Sequence, residues 1–135
     1  MLKLIIGKKG SGKTKTLISM VDEALAMTKG DVVCIEKGDQ LKFDIKYQCR
    51  LIDTDEFHVA DGQSLYGFIA GILASNHDVT DIFVDSALKI CQNDFASFDV
   101  FLNELEALSA KTNINFTITS SLAEEEASDT VKKFI

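Results

Sequence analysis

The segment Gly7-Lys8-Lys9-Gly10-Ser11-Gly12-Lys13-Thr14 constrains the fold of this chain more than any other stretch of it. Three of its first six residues are glycines, which open left-handed backbone conformations closed to most other residues. Before it, Leu2 to Ile6 (LKLII) is a short apolar run that ends at Gly7. After it, residues 15–28 place Leu17, Ile18, Val21, Ala24 and Leu25 at helical spacing. The predicted local order is strand, glycine turn, helix, with every fixed position of G-x-x-x-x-G-K-[ST] filled.

That order has a chemical meaning. Glycines let successive N–H groups of the turn point inward as donors, and the helix start adds its unsatisfied N–H groups and positive dipole end. Such a turn is an anion cradle, and Gly7, Lys8, Lys9, Gly10, Ser11, Gly12, Lys13 and Thr14 are its candidate binding residues. Lys13 is expected to reach the β- and γ-phosphates of a nucleoside triphosphate, and the Thr14 hydroxyl to coordinate Mg²⁺. Lys8 and Lys9 either touch phosphates or face solvent, and solvent is favoured.

The rest of the chain alternates short apolar runs with amphipathic segments. Asp31 to Glu36 (DVVCIE), Cys49 to Asp53 (CRLID), Thr80 to Asp85 (TDIFVD) and Asn115 to Ser120 (NFTITS) read as strands. Between the first two, LKFDIKY alternates apolar and polar residues and suggests a further short strand or edge hairpin. Residues 64–76 read as a buried helix with Ser64 as its N-cap and with Gly67 and Gly71 allowing close packing. A second long helix is expected from about Asp94 to Lys111, with Phe98, Phe101, Leu102, Leu105 and Leu108 on one face. The final VKKFI fits either a helical turn or an edge strand. Strands separated by helices require crossover connections, so the predicted class is α/β: three layers, a mainly parallel sheet of about five strands, helices on both faces. With 135 residues and no proline-rich or low-complexity linker, residues 1–135 read as one domain.

Composition narrows the partners. A net charge of −7 disfavours nucleic acid, whose backbone needs a concentrated Lys/Arg surface. No run approaches the roughly 18 apolar residues of a membrane span. The opening MLKLIIGKKG has the wrong order and length for a secretory leader, so the expected compartment is the cytoplasm. Cys34, Cys49 and Cys91 lack zinc-ligand spacing and read as small apolar core residues, and His58 and His77 lack ligand spacing too. Thirteen of the fourteen basic residues are lysine, leaving Arg50 as the sole arginine.

Magnesium in such a cradle needs a carboxylate that ends a neighbouring strand. Asp85 fits best, with the cluster Asp53, Asp55 and Glu56 as its competitor; a common other use of such an aspartate is to cap a following helical turn. The residue after Asp85 is Ser86 rather than a water-polarising glutamate, so a catalytic base must come from another strand end, with Glu36, Asp55 and Glu56 available. Lys13, Glu36 and Glu56 are thus the candidate catalytic residues. Thr119 and Ser120 are positioned to sense a γ-phosphate by hydrogen bonding or to serve ordinary loop chemistry.

The phosphate loop, the DIFVD strand and the polar-ended NFTITS strand together resemble the additional-strand, RecA-like class of P-loop ATPases. More narrowly, the chain is similar to short ATP-binding proteins of Gram-positive bacteria sometimes labelled twitching-motility or pilus-retraction ATPases, although the histidine- and acid-rich motifs of true retraction motors are missing. The resemblance implies ATP and Mg²⁺ as cofactors, held by Gly7, Gly12, Lys13 and Thr14, with Asp85 carried over to the metal. The guanine-reading pattern N-K-x-D is absent, which favours ATP over GTP. Four readings follow. The first is a slow ATPase serving as a regulatory or assembly module. The others are an oligomeric ATPase completed across a subunit interface by Arg50, a small-molecule kinase, and a protein-binding module with nucleotide as a structural ligand.

Overall fold

The computed structural model describes residues 1–135. Five strands, β1 (Leu2–Gly7), β2 (Asp31–Glu36), β3 (Arg50–Asp53), β4 (Val79–Val84) and β5 (Asn115–Ser121), form one sheet in the order β1-β5-β4-β2-β3. Every pair is parallel. The helices are α1 (Lys13–Met27), α2 (Gly62–Ser75), α3 (Ala87–Ile90), α4 (Phe95–Thr112) and α5 (Asp129–Lys132). No helix is long and apolar enough to cross a membrane.

The period of two along a strand sends alternate side chains to opposite faces, and two cores result. Val32, Cys34 and Phe83 pack against Leu17 and Val21 of α1. Val33, Ile35, Ile82 and Val84 face the other way, onto Leu65 and Ile69 of α2 and Phe98, Phe101, Leu102 and Leu105 of α4. Both faces are therefore covered, which explains why β2 is apolar at four consecutive positions, Val32 to Ile35, rather than alternating.

Several local expectations change. The segment LKFDIKY forms turns, not a strand. Its apolar residues recur every second position, but only Leu41 and Ile45 reach the α1-side core, joined by Cys49, while Phe43 and Tyr47 are 90% and 92% exposed. The operative spacing is four, so the chain turns instead of extending. Helix α2 begins two residues earlier than expected and Ser64 is not its N-cap. Asp61 is, accepting from the Ser64 backbone at 2.7 Å, while the Ser64 hydroxyl accepts from the Asp61 N–H at 3.2 Å to close a capping box. Gly67 and Gly71 allow no close packing, since a Cβ on either would meet open space. The close approach is at Gly62 instead, where a Cβ would lie 2.5 Å from the Ser97 carbonyl oxygen on α4. The C-terminal segment supplies the short helix α5, and Val131 and Phe134 close the larger core.

Candidate functional site

The carboxyl ends of β1, β4 and β5 meet at the Gly7–Thr14 turn. Gly10 and Gly12 hold φ of +86° and +89°, where a side chain would be strained, and a Cβ on Gly7 would sit 2.5 Å from the Ser11 hydroxyl. Gly12 caps α1, and no side chain accepts from the first turn of that helix: the Thr16 N–H bonds to the Gly12 carbonyl at 3.0 Å, and the N–H groups of Lys13, Thr14 and Lys15 have no side-chain acceptor. The Lys13 ammonium folds back over the turn, donating to the Lys8 carbonyl at 2.9 Å and to the Ser11 hydroxyl at 3.4 Å.

Thr14 and Asp85, 71 positions apart in the chain, are in direct contact. The Thr14 hydroxyl lies 3.2 Å from each Asp85 carboxylate oxygen. Asp85 follows β4, is 8% exposed, and is tied to β2 through its N–H on the Ile35 carbonyl at 2.8 Å. Thr119 fixes its other side, donating to Oδ1 at 2.7 Å while accepting from the Ser86 N–H at 2.8 Å. Because β5 lies between β1 and β4, its end is placed to bridge the turn and the acid. Thr119 is thus a support for Asp85. The Ser120 hydroxyl is likewise used internally, accepting from Leu88 N–H at 3.3 Å and donating to the Thr119 carbonyl at 2.7 Å. Asp85 caps no helix: the N-cap of α3 is Ser86, in a left-handed conformation at φ +59°.

Around this contact lies a cleft of about 610 Å³, lined by Lys9, Lys13, Lys15 and Lys89, with Asp85 as its only carboxylate and Leu88 as its only apolar side chain. Four of thirteen lysines in a chain of net charge −7 converge here, so the local field favours an anion against the overall charge. Lys9 lines the cleft; Lys8 is exposed outside it. Lys89, Gln40, Asn93 and Ser121 also line the cleft, and sequence reasoning did not single them out. For Lys89 the one available signal was its place a helical turn beyond Asp85.

The other acids lie elsewhere. Asp53 accepts from the N–H groups of Gly38 and Asp55, both at 2.8 Å, and caps the 3₁₀ turn Thr54–Phe57. Asp55 pairs with Lys37 at 2.7 Å. Glu56 is exposed and lines a separate hollow of about 230 Å³ beside Arg50 and Asp53. Glu36 is 4% exposed, and its carboxylate accepts from the N–H groups of Gln40 at 3.0 Å and Leu41 at 3.2 Å. Burial pushes its carboxyl above the usual range, opposed by those two backbone bonds. Neither Glu36 nor Glu56 lines the lysine-rich cleft, so these two expected catalytic acids are not brought to Lys13. The reason is local: one carboxylate is consumed in holding the turn after β2, and the other sits on a connection beyond the far edge strand.

No three His, Cys, Asp or Glu side chains assemble into a preformed metal cage. A magnesium ion does not require one, since it keeps several waters and takes one or two protein oxygens together with ligand phosphates. The Thr14 hydroxyl and the Asp85 carboxylate are hard oxygen donors of that kind, held side by side.

Cys34, Cys49 and Cys91 are all buried and unpaired. Burial raises the Cys49 thiol to about 11 and the Cys91 thiol to about 12, and pushes Cys34 well above its ordinary value. Since the thiolate is the reactive form, iodoacetamide at neutral pH is expected to modify none of the three in the folded chain and all three in denaturant. Mass spectrometry checks this, and labelling of the folded protein would contradict the burial.

No protein-family model and no curated protein sequence matches the chain.

Proposed function

We propose that the cleft binds a magnesium nucleoside triphosphate, ATP rather than GTP, and that the chain is a P-loop protein of the additional-strand class acting as a slow ATPase in a regulatory or assembly role. The observation that carries this reading is the Thr14–Asp85 contact beneath an uncapped helix start, with Lys13 folded over the same turn. Strand β5 between β1 and β4 supports the additional-strand assignment. Lys13 would hold the β- and γ-phosphates, the N–H groups of Gly10 to Thr14 would surround the β-phosphate, and Thr14 with Asp85 would hold Mg²⁺. The ion would neutralise phosphate charge and fix the orientation of the chain of phosphates. The absence of N-K-x-D leaves guanine without its usual reader, hence ATP.

Slow turnover follows from the carboxylates. Only Asp85 lines the cleft, and its oxygens are already shared between Thr14 and Thr119, so no second acid stands ready to orient an attacking water. Completion across a subunit interface is the runner-up, favoured by the exposure of Arg50 on edge strand β3.

The test is equilibrium binding of ATP with and without magnesium. Wild-type protein is expected to bind ATP at least about tenfold more tightly with Mg²⁺ than in EDTA, and Asp85→Asn, which keeps an oxygen for Thr119, to lose most of that difference. Equal wild-type affinity in the two conditions would sink the reading.

A further inference from the structure

We propose that Lys89 is the terminal-phosphate ligand of this site, supplying from within the same chain the positive charge that an arginine provides in many phosphoryl-transfer sites. This inference rests on the proposed binding of magnesium ATP and adds to it the group that tells a triphosphate from a diphosphate.

The cleft has two walls. Lys13 and Lys15 start α1 on one side, and Lys9 belongs to the turn itself. Lys89 stands on the other wall, four residues beyond Asp85, on α3. Asp85 and Thr14 would hold the metal, so the phosphates whose charge it would neutralise would lie beside them. Lys13 would serve both phosphates from the α1 side, and a cation on the Asp85 side would meet the terminal phosphate from the opposite wall.

The backbone beneath Lys89 is held firmly. The N–H groups of Ser86 and Leu88 donate to the hydroxyls of Thr119 and Ser120, and Ala87, Leu88, Ile90 and Cys91 are buried around it. Lys89 alone of this turn is exposed, and its ammonium has neither a hydrogen-bond nor an ion-pair partner in the protein. A lysine with no internal role, fixed at its root and projecting into an anion-binding cleft, is placed for an external anion. No arginine competes for the task. Arg50, the sole one, lies on β3, separated from β4 by β2, and lines the other hollow.

The experiment compares binding of Mg·ATP and Mg·ADP to the full chain in four forms: wild type, Lys89→Ala, Lys89→Arg and Lys13→Ala. Losing one charge-assisted contact made only to the γ-phosphate should weaken Mg·ATP about tenfold or more in Lys89→Ala, leave Mg·ADP within about twofold, and be largely restored in Lys89→Arg. An equal loss for both nucleotides, or no loss for either, overturns the assignment while leaving the nucleotide site intact. If wild type binds neither nucleotide better than Lys13→Ala does, the underlying site fails and Lys89 with it. Lys89 is exposed and packs no core, so matching melting curves for wild type and Lys89→Ala separate a binding effect from misfolding.

Discussion

Lys13→Ala is expected to lower the affinity of the chain for magnesium ATP by about 100-fold while leaving its melting temperature nearly unchanged. A lysine that donates to two phosphates loses two charge-assisted hydrogen bonds when truncated, each worth about 1.5–3 kcal/mol. Two such losses, partly compensated by water entering the cleft, leave a deficit near 2.7 kcal/mol, which is about two decades in affinity. The folded protein has little at stake. The ammonium bonds only to the Lys8 carbonyl and the Ser11 hydroxyl, both solvent-exposed, so the stability change should stay within about 0.5 kcal/mol. Lys13→Arg is expected to rescue poorly, because a planar guanidinium is wider than an ammonium and a turn this tight leaves it little room. Isothermal titration of the two variants and wild type measures the effect; a Lys13→Ala protein that binds ATP as wild type does would remove the central cation from the site.

Phe101→Ala should have the largest effect on stability, about 3–5 kcal/mol out of the 5–15 kcal/mol typical of a domain. Phe101 is fully buried on α4, in the core that joins α2, α4 and the sheet. Its surroundings have little freedom to collapse into the cavity left behind. Gly62, at the start of α2, approaches so closely that a Cβ there would lie 3.2 Å from the Phe101 Cβ, and the Gly62 N–H is bonded to the Ser97 hydroxyl at 2.9 Å. Val100, the adjacent residue on the same helix, is 55% exposed, and Val100→Ala should change stability by no more than about 0.5 kcal/mol. Urea denaturation of both variants decides the matter. Comparable losses at positions 100 and 101 would mean that the assigned face of α4 is wrong.

Those two predictions draw on different kinds of information. Lys13 was legible from eight consecutive residues, because a glycine turn between a strand and a helix dictates its own geometry. Phe101 was legible as a member of a helical stripe with Phe98, Leu102 and Leu105, which the spacing alone assigns to a buried face. Strand positions were found almost to the residue for the same reason: β-branched runs between turn residues leave few alternatives. The turn segment 41–47 was misread because its period-two pattern places apolar residues on one face of a hypothetical strand, while two of them, Phe43 and Tyr47, never reach a core. The cap of α2 was misplaced because Asp61 and Ser64 both suit the role, and only the backbone bond between them distinguishes the cap from its partner.

Acids and cations around the cleft divide along the same line. Asp85 was singled out as the end of an apolar strand, yet nothing local ranked it decisively above Asp53, Asp55 and Glu56. That ranking depends on the order β1-β5-β4-β2-β3, which sets Asp85 against Thr14 through Thr119 and leaves the competing cluster at the end of edge strand β3, where Asp53 and Asp55 bond to Gly38 and Lys37 after β2. Lys89 escaped notice entirely, since one lysine after an apolar run looks like any solvated lysine. Strand-turn-helix geometry at Gly7 to Thr14, the α/β class and the helix faces are short-range properties, governed by residues within a few positions of one another, and they can be read along the chain. Which acid meets Thr14, which carboxylates are consumed in turns, and which lysines share the cleft are long-range properties. They are decided by sheet order, because parallel pairing brings together strand ends that lie tens of residues apart in sequence.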